Sequence, residues 1–352
     1  MLTKEINTIG LGSFFPKTDE TTLKEFDALQ SIPNYELFYT GRHAIKHLLT
    51  LLQTRSTIRK IWLPKYYCQH VTSWLKANFD TIDTYDIDPF FENTRVNFED
   101  FSTEEDVVIL NNFWGIYEYK IPNNTKRAIF IEDHSHGWQS KACVKSKADY
   151  CFASLRKTLP VPLGGILWQP NGNDHLSISK KSSTDDFSRI WNLIDKAMIL
   201  KQNYKLNGIG KVADYLNIIG ETETFLHHQY DVVPVKKEHR AYLFTYLNKD
   251  YSAAKSTNFK HIFEKIVPNS EFKVLYKEKH TSFGLELILK DRDTFNSLKH
   301  YLIVHKIYPS ELWPDNTLET PYKHALNIHI DFRYTTETMN YIADKLNSWN
   351  SK

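Results

Sequence analysis

The chain has 352 residues, 41% of them hydrophobic, which suffices for a large buried core and ordinarily divides into two domains. Its 44 basic and 42 acidic residues leave a formal charge of +2 without a long basic run, which excludes electrostatic recruitment by nucleic acid or by a membrane surface. The opening MLTKEINTIGLGSFFPKTDE has no cationic start followed by a continuous apolar core, and no stretch of about 20 uninterrupted apolar residues occurs, so a cytoplasmic protein is expected.

Residues 1 to 34 read as an arm with a helix around Thr21 to Leu29. The segment FYTGRHAIKHLLTLL then opens on Thr40 and Gly41 and continues as an amphipathic helix, whose N-terminal amides suit a phosphate. Arg42 is either a charge-assisted contact to that phosphate or a solvated surface residue. IWLPKYYCQHV is a strand running through Pro64 into Tyr66, Tyr67 and a helix start. Two further strand segments follow, FDTIDTYDIDP and DVVILNNFWGIYE. The second ends on Asn111 and Asn112, which either face a site or cap the next turn.

AIFIED is an apolar run ending in acid, the pattern of a parallel strand buried on both faces that delivers Asp133 at its carboxyl end, where open α/β sheets bind ligands. YCFAS is a second short strand. Ser154 closes it, Lys157 comes three positions later, and Gly164 and Gly165 permit a tight turn beyond. A carboxylate on one strand end and a lysine just past the next are what a pyridoxal-phosphate enzyme requires. The acid keeps the pyridine nitrogen protonated, the amine bonds the cofactor aldehyde, and the Ser154 hydroxyl reaches the phosphate. The histidines of HSHGW, at i and i+2 beside a carboxylate, have no third ligand of suitable spacing nearby, so no metal is expected. Cys68, Cys143 and Cys151 are too few and scattered for a disulfide framework and read as reduced thiols.

Beyond this segment, residues 171 to 186 read as a polar loop, Phe187 to Lys201 as a helix, and KQNYKLNGIGK as its end. From residue 231 the pattern turns to helix, strand, helix, strand, with FGLELILK and ALNIHIDFRY as strands and RDTFNSLKHYLIVHKI as an amphipathic helix. The expected organisation is an arm at 1–34, a large α/β domain at 35–230 and a small α+β domain at 231–352.

The central segment resembles the sugar aminotransferase family called DegT/DnrJ/EryC1, within the type I fold of pyridoxal-phosphate transferases. That family shows an acidic strand end with Gln three residues on, then a lysine followed seven and eight residues later by Gly-Gly. Here the offsets hold Asp133, His136 in the Gln place, Lys157, Gly164 and Gly165. The resemblance implies a mostly parallel seven-stranded sheet between helices plus a smaller C-terminal domain, Lys157 as the catalytic lysine, and a homodimer. It implies that His136 bonds the cofactor's phenolic oxygen. TGRHAI stands where the family has a small-residue phosphate turn, so Gly41, Arg42 and His43 are candidates there, with bulkier residues than the family uses. Tyr66 or Tyr67 is the aromatic expected to stack on the pyridine, and Trp114-Gly115 is placed over the cofactor edge. Asn203 echoes an asparagine that reaches the partner subunit's phosphate, while Trp313 and Arg333 approach the substrate. The implied activity is transfer of an amino group from an amino acid, by family habit glutamate, to a keto-sugar, free or nucleotide-linked. Another pyridoxal-phosphate reaction (elimination, decarboxylation or dehydration) and a non-catalytic protein retaining the fold are the alternatives.

Overall fold

The computed structural model describes residues 11–12, 14–18, 23–26, 29, 32, 34–90, 95–178 and 184–350. Where the sequence predicts a helix around Thr21 to Leu29, the described residues 23–26 are not helical, with Glu25 in an antiparallel bridge to Lys249 and the Phe26 amide donating to the Asn248 carbonyl at 2.8 Å; the rest of that stretch except Leu29, and part of the polar loop, lie outside the described residues. In chain order the first part comprises β1 (Leu11–Gly12), β2 (Asn34–Phe38), α1 (Gly41–Arg55), β3 (Ile61–Pro64), α2 (Gln69–Lys76), β4 (Ile82–Tyr85), β5 (Val107–Asn111), β6 (Ile129–Asp133), α3 (Lys141–Val144), β7 (Tyr150–Ser154) and β8 (Gly165–Gln169). The second part comprises α4 (Asp185–Asn207), α5 (Val212–His227), α6 (Lys237–Leu247), α7 (Ser252–Phe263), β9 (Phe272–Val274), β10 (Leu285–Leu289), α8 (Arg292–Val304), β11 (Ile307–Tyr308), β12 (Ser310–Leu312), β13 (His324–Ile328) and α9 (Thr336–Ser348).

Seven strands form the large sheet in the order β2-β8-β7-β6-β5-β3-β4. The run from β7 to β4 is parallel, and β8 lies antiparallel to both β7 and β2. Every residue of β5 is buried, as a strand covered on both faces requires. Strand alternation divides the apolar side chains into two cores. Ile109, Ile131 and Leu167 meet Ile45, Leu48 and Leu49 of α1 on one face, whereas Val108, Leu110, Phe130 and Ile166 enter a larger aromatic core on the other. Full burial of each such side chain contributes about 1.5–3 kcal/mol. Asp133 shares strand parity with Ile131 and so points to the α1 face.

The smaller sheet runs β12-β13-β10-β9, all antiparallel. Leu285, Leu287 and Leu289 of β10 pack on Phe295 and Leu298 of α8 and Met339 and Ile342 of α9 in a separate core. Helix α6, which lies past residue 231, buries Leu243, Tyr246 and Leu247 in the aromatic core of the large sheet. Among the described residues no helix is long and apolar enough to cross a membrane.

Candidate active site

Helix α1 starts beside the end of β7. Thr40 is its N-cap, extended at φ −144° and ψ 159°, and its hydroxyl accepts from the His43 amide. A Cβ on Gly41 would lie 3.1 Å from the Ser154 backbone, and one on Gly165 would lie 2.4 Å from the Thr40 carbonyl carbon. Small residues at these two positions therefore let the helix start press against the strand ends and leave its first amides open to the cavity above them.

That cavity has a volume of about 490 Å³ and is lined by Asp133 and Lys157 together. Asp133 is buried at the end of β6. Its Oδ2 accepts the Tyr67 hydroxyl at 2.5 Å and its Oδ1 accepts the Ser135 amide at 2.8 Å. Burial and the Asp133 carboxylate together raise the Tyr67 phenol well above its ordinary pKa, so it stays a donor. Ser135 in turn uses its hydroxyl to accept the Ser154 amide at 2.9 Å, which ties the two strand ends together.

Lys157 ends a single 3₁₀ turn, Leu155–Lys157, and its Nζ lies 3.3 Å from Nε2 of His136. The His136 ring is held parallel to Phe283, Trp313 and Trp114, at centroid distances of 4.5, 5.3 and 5.6 Å. Burial, then the charges of Lys157 and Lys255, depress its pKa well below the ordinary value. The imidazole is neutral and shares a hydrogen bond with the Lys157 amine. Trp114 and Trp313 both have positive φ, 58° and 47°, a costly conformation for bulky residues that the surrounding aromatic packing maintains.

The other side of the cavity is cationic. Arg42 lines it without a carboxylate in ion-pair reach among the described residues, and its closest polar partner is the His227 ring at 3.5 Å. Burial and the neighbouring Arg156 charge lower the pKa of Arg42. Arg156 makes a two-pronged pair with Glu223 of α5, and although burial opposes its charge, that carboxylate raises its pKa. His70, His227 and His228 complete this wall.

The structure brings Gly41, Arg42, Tyr67, Asp133, His136, Ser154 and Lys157 to one cavity, with Asn111 and Trp313 beside them. Three other candidates lie elsewhere. His43 is buried under the helix start, with Nδ1 2.7 Å from the Thr40 hydroxyl and Nε2 3.0 Å from the Gln229 carbonyl, so both ring nitrogens are committed to the scaffold. Tyr66 is buried among Phe90, Phe113, Trp114 and Trp313 and donates to the Leu312 carbonyl at 3.2 Å. Asn203 is exposed in the last turns of α4, away from this cavity. Trp114 stacks on His136 from behind without lining the cavity, and Asn112 donates to the Tyr117 carbonyl at 2.5 Å, holding a turn. Arg333 is committed to Asp331 through two hydrogen bonds of 2.7 Å. Sequence reading missed Ser135, Arg156, Glu223 and the histidine wall. Arg156 adjoins Lys157 in the chain, but Glu223 and His227 sit in a helix without any recognisable motif.

No protein-family model and no curated protein matches the sequence. Solved structures do. The sugar aminotransferase CalS13 from Micromonospora echinospora is 13% identical, with a TM-score of 0.63 over 97% of this chain and 100% of that one. PseC from Helicobacter pylori, an aminotransferase involved in the biosynthesis of pseudoaminic acid, is 11% identical, with a TM-score of 0.60 over 96% and 98%. A DegT DnrJ EryC1 StrS aminotransferase from Brucella abortus is 13% identical, with a TM-score of 0.55 over 100% and 95%. The likeness spans both sheets, and the fold is the one the central segment implied.

Proposed function

We propose that this chain is a pyridoxal-phosphate-dependent aminotransferase that moves an amino group from an amino-acid donor, glutamate by preference, to a keto-sugar, free or nucleotide-linked. The observation that carries the reading is that Lys157 and Asp133, from two strand ends, line one cavity whose rim is the start of α1. The donor set fits the cofactor chemically: an amine for its aldehyde, a carboxylate for its pyridine nitrogen, and a guanidinium without a carboxylate partner among the described residues, with helix-start amides and a hydroxyl, for its phosphate. When bound, the cofactor supplies the electron sink that stabilises negative charge at the donor's α-carbon.

Lys157 would hold the cofactor through its amine and would serve as the base at the donor's α-carbon. Asp133, held in place by accepting at both oxygens, would face the ring nitrogen. Neutral His136 keeps the Lys157 side chain aimed into the cavity through its hydrogen bond to Nζ. Gly41, Arg42 and Ser154 are assigned to the phosphate. Tyr67, which lines the cavity as Tyr66 does not, is the aromatic assigned to the ring. Asn203, exposed on α4, is assigned to a second subunit's site in a homodimer, and the compartment proposed is the cytoplasm.

The test is spectroscopic. Adding glutamate to the cofactor-loaded protein is expected to convert the lysine-bound absorption to that of the pyridoxamine form, and varying donor and acceptor should give parallel initial-velocity lines. No conversion by any amino donor, or intersecting lines, would overturn the assignment and leave another reaction on the same cofactor.

A further inference from the structure

Asp133 has a reverse side. Strand alternation sends its neighbours Glu132 and His134 to the opposite face of the sheet, and β7 places Cys151 directly across from Glu132 in the parallel register. One ligand atom from each of these three residues lies within 4.8 Å of the others, and all three residues are buried: Glu132 is 4% exposed, and His134 and Cys151 are 0% exposed. His134 Nε2 stands 3.3 Å from Glu132 Oε2, yet neither ring nitrogen of His134 makes a hydrogen bond. The Ser146 hydroxyl sits beside them, donating to Glu132 Oε2 at 2.6 Å and lying 3.2 Å from the Cys151 sulfur. The sequence offered two histidines with no third ligand. The fold instead pairs one of them with a glutamate and a cysteine.

We propose that Glu132, His134 and Cys151 bind one divalent transition ion of the zinc class, with the Ser146 hydroxyl as the nearest fourth donor. The mixed nitrogen, sulfur and oxygen set is the chemistry such ions select, and calcium or magnesium would not choose it. Charge closes as well. A carboxylate and a thiolate against one divalent cation, with a neutral imidazole, give a net-neutral centre, which a dry interior tolerates far better than a lone carboxylate. On entry the ion exchanges bound waters for three protein ligands, the thiol proton leaves to solvent, and nothing is oxidised or reduced. The ion would clamp the carboxyl end of β6 to the start of β7, the two strands that deliver Asp133 and Ser154. Its role is structural and independent of the cofactor reading.

The experiment uses the full chain freed of metal and then loaded with Co²⁺ or Zn²⁺. One ion per chain is expected, with a thiolate-to-cobalt charge-transfer absorption and a melting temperature raised by Zn²⁺. Cys151→Ser should lose that absorption and bind Zn²⁺ at least about 100-fold more weakly, and His134→Gln should behave alike, whereas Cys68→Ser should match the unaltered chain. If the serine variant does not fold, the cobalt spectrum of the unaltered chain decides alone. Absence of bound metal, a cobalt spectrum without thiolate character, or binding that survives in Cys151→Ser and His134→Gln, as at the cavity's histidines, would overturn the proposal.

Discussion

The floor and the wall of the cavity are built on different terms. The floor is made of Asp133, Ser135, Ser154 and Lys157, all drawn from two neighbouring strand ends within 25 positions of sequence and cross-tied by short hydrogen bonds. The wall joins Arg42 of α1 to Glu223 and His227 of α5 and to Trp313 beyond the small domain's β12, residues separated by up to 271 positions. Reaction chemistry dictates side-chain types on the floor, and the sheet dictates their spacing. On the wall, Arg42 apart, only shape and charge toward a substrate are constrained, so on the proposed reading the floor would set the kind of reaction and the rest of the wall its acceptor.

The largest expected effect belongs to the floor. Lys157→Ala should lower turnover by about 10⁴-fold or more and abolish the lysine-bound cofactor absorption, read in a stopped assay and a spectrum. Asp133→Asn removes the charge offered to the ring nitrogen and leaves one acceptor oxygen where Tyr67 and Ser135 each donated to a separate one, so one of these two contacts is lost as well. Turnover should fall by about 10²–10⁴-fold with little change in cofactor content. If both variants were as active as the parent, the floor would be scaffold and the comparison would collapse.

Changes in the wall should be milder and should move substrate terms. The Arg156–Glu223 pair is part-exposed at the cavity, with the glutamate side chain 43% accessible, so its contribution to stability is about 1 kcal/mol or less. Glu223→Gln should therefore leave the melting temperature nearly unchanged but alter acceptor KM by up to about 10-fold, with smaller change in kcat. A wall that altered kcat and spared KM would belong functionally with the floor.

The smallest expected effect concerns the join between the two regions. His43 links the start of α1 to Gln229, just past α5, and burial lowers its pKa to about 3. The unfolded chain takes up a proton near the ordinary value of about 6.5 that the folded chain refuses, so stability is full above that value and falls as pH drops below it. Between pH 7 and pH 5 the loss through His43 is about 2 kcal/mol. Denaturant titrations at both pH values should show this difference shrinking in a His43→Asn variant, and an unchanged difference would mean the imidazole is not held neutral.

These contrasts also explain what could be read in advance. Asp133 and Lys157 were legible because an apolar strand run fixes where its last side chain emerges, and the Gly164–Gly165 turn marks the return strand. Gly41, Arg42 and His43 were indistinguishable in sequence, yet successive helix positions turn by about 100°, and only the first two face the cavity. Tyr66 and Tyr67 point to different sides of one irregular segment, a distinction that awaits tertiary packing. The partners Glu223 and Cys151 depend on a helix placement and a strand register that no local pattern encodes.

The most direct measurement is borohydride reduction of the cofactor-loaded chain followed by peptide mapping. One reduced pyridoxyl adduct per chain is expected, on Lys157, and none in Lys157→Ala. An adduct on Lys141, Lys145 or Lys147, or no adduct in a chain that has been offered the cofactor, would contradict it.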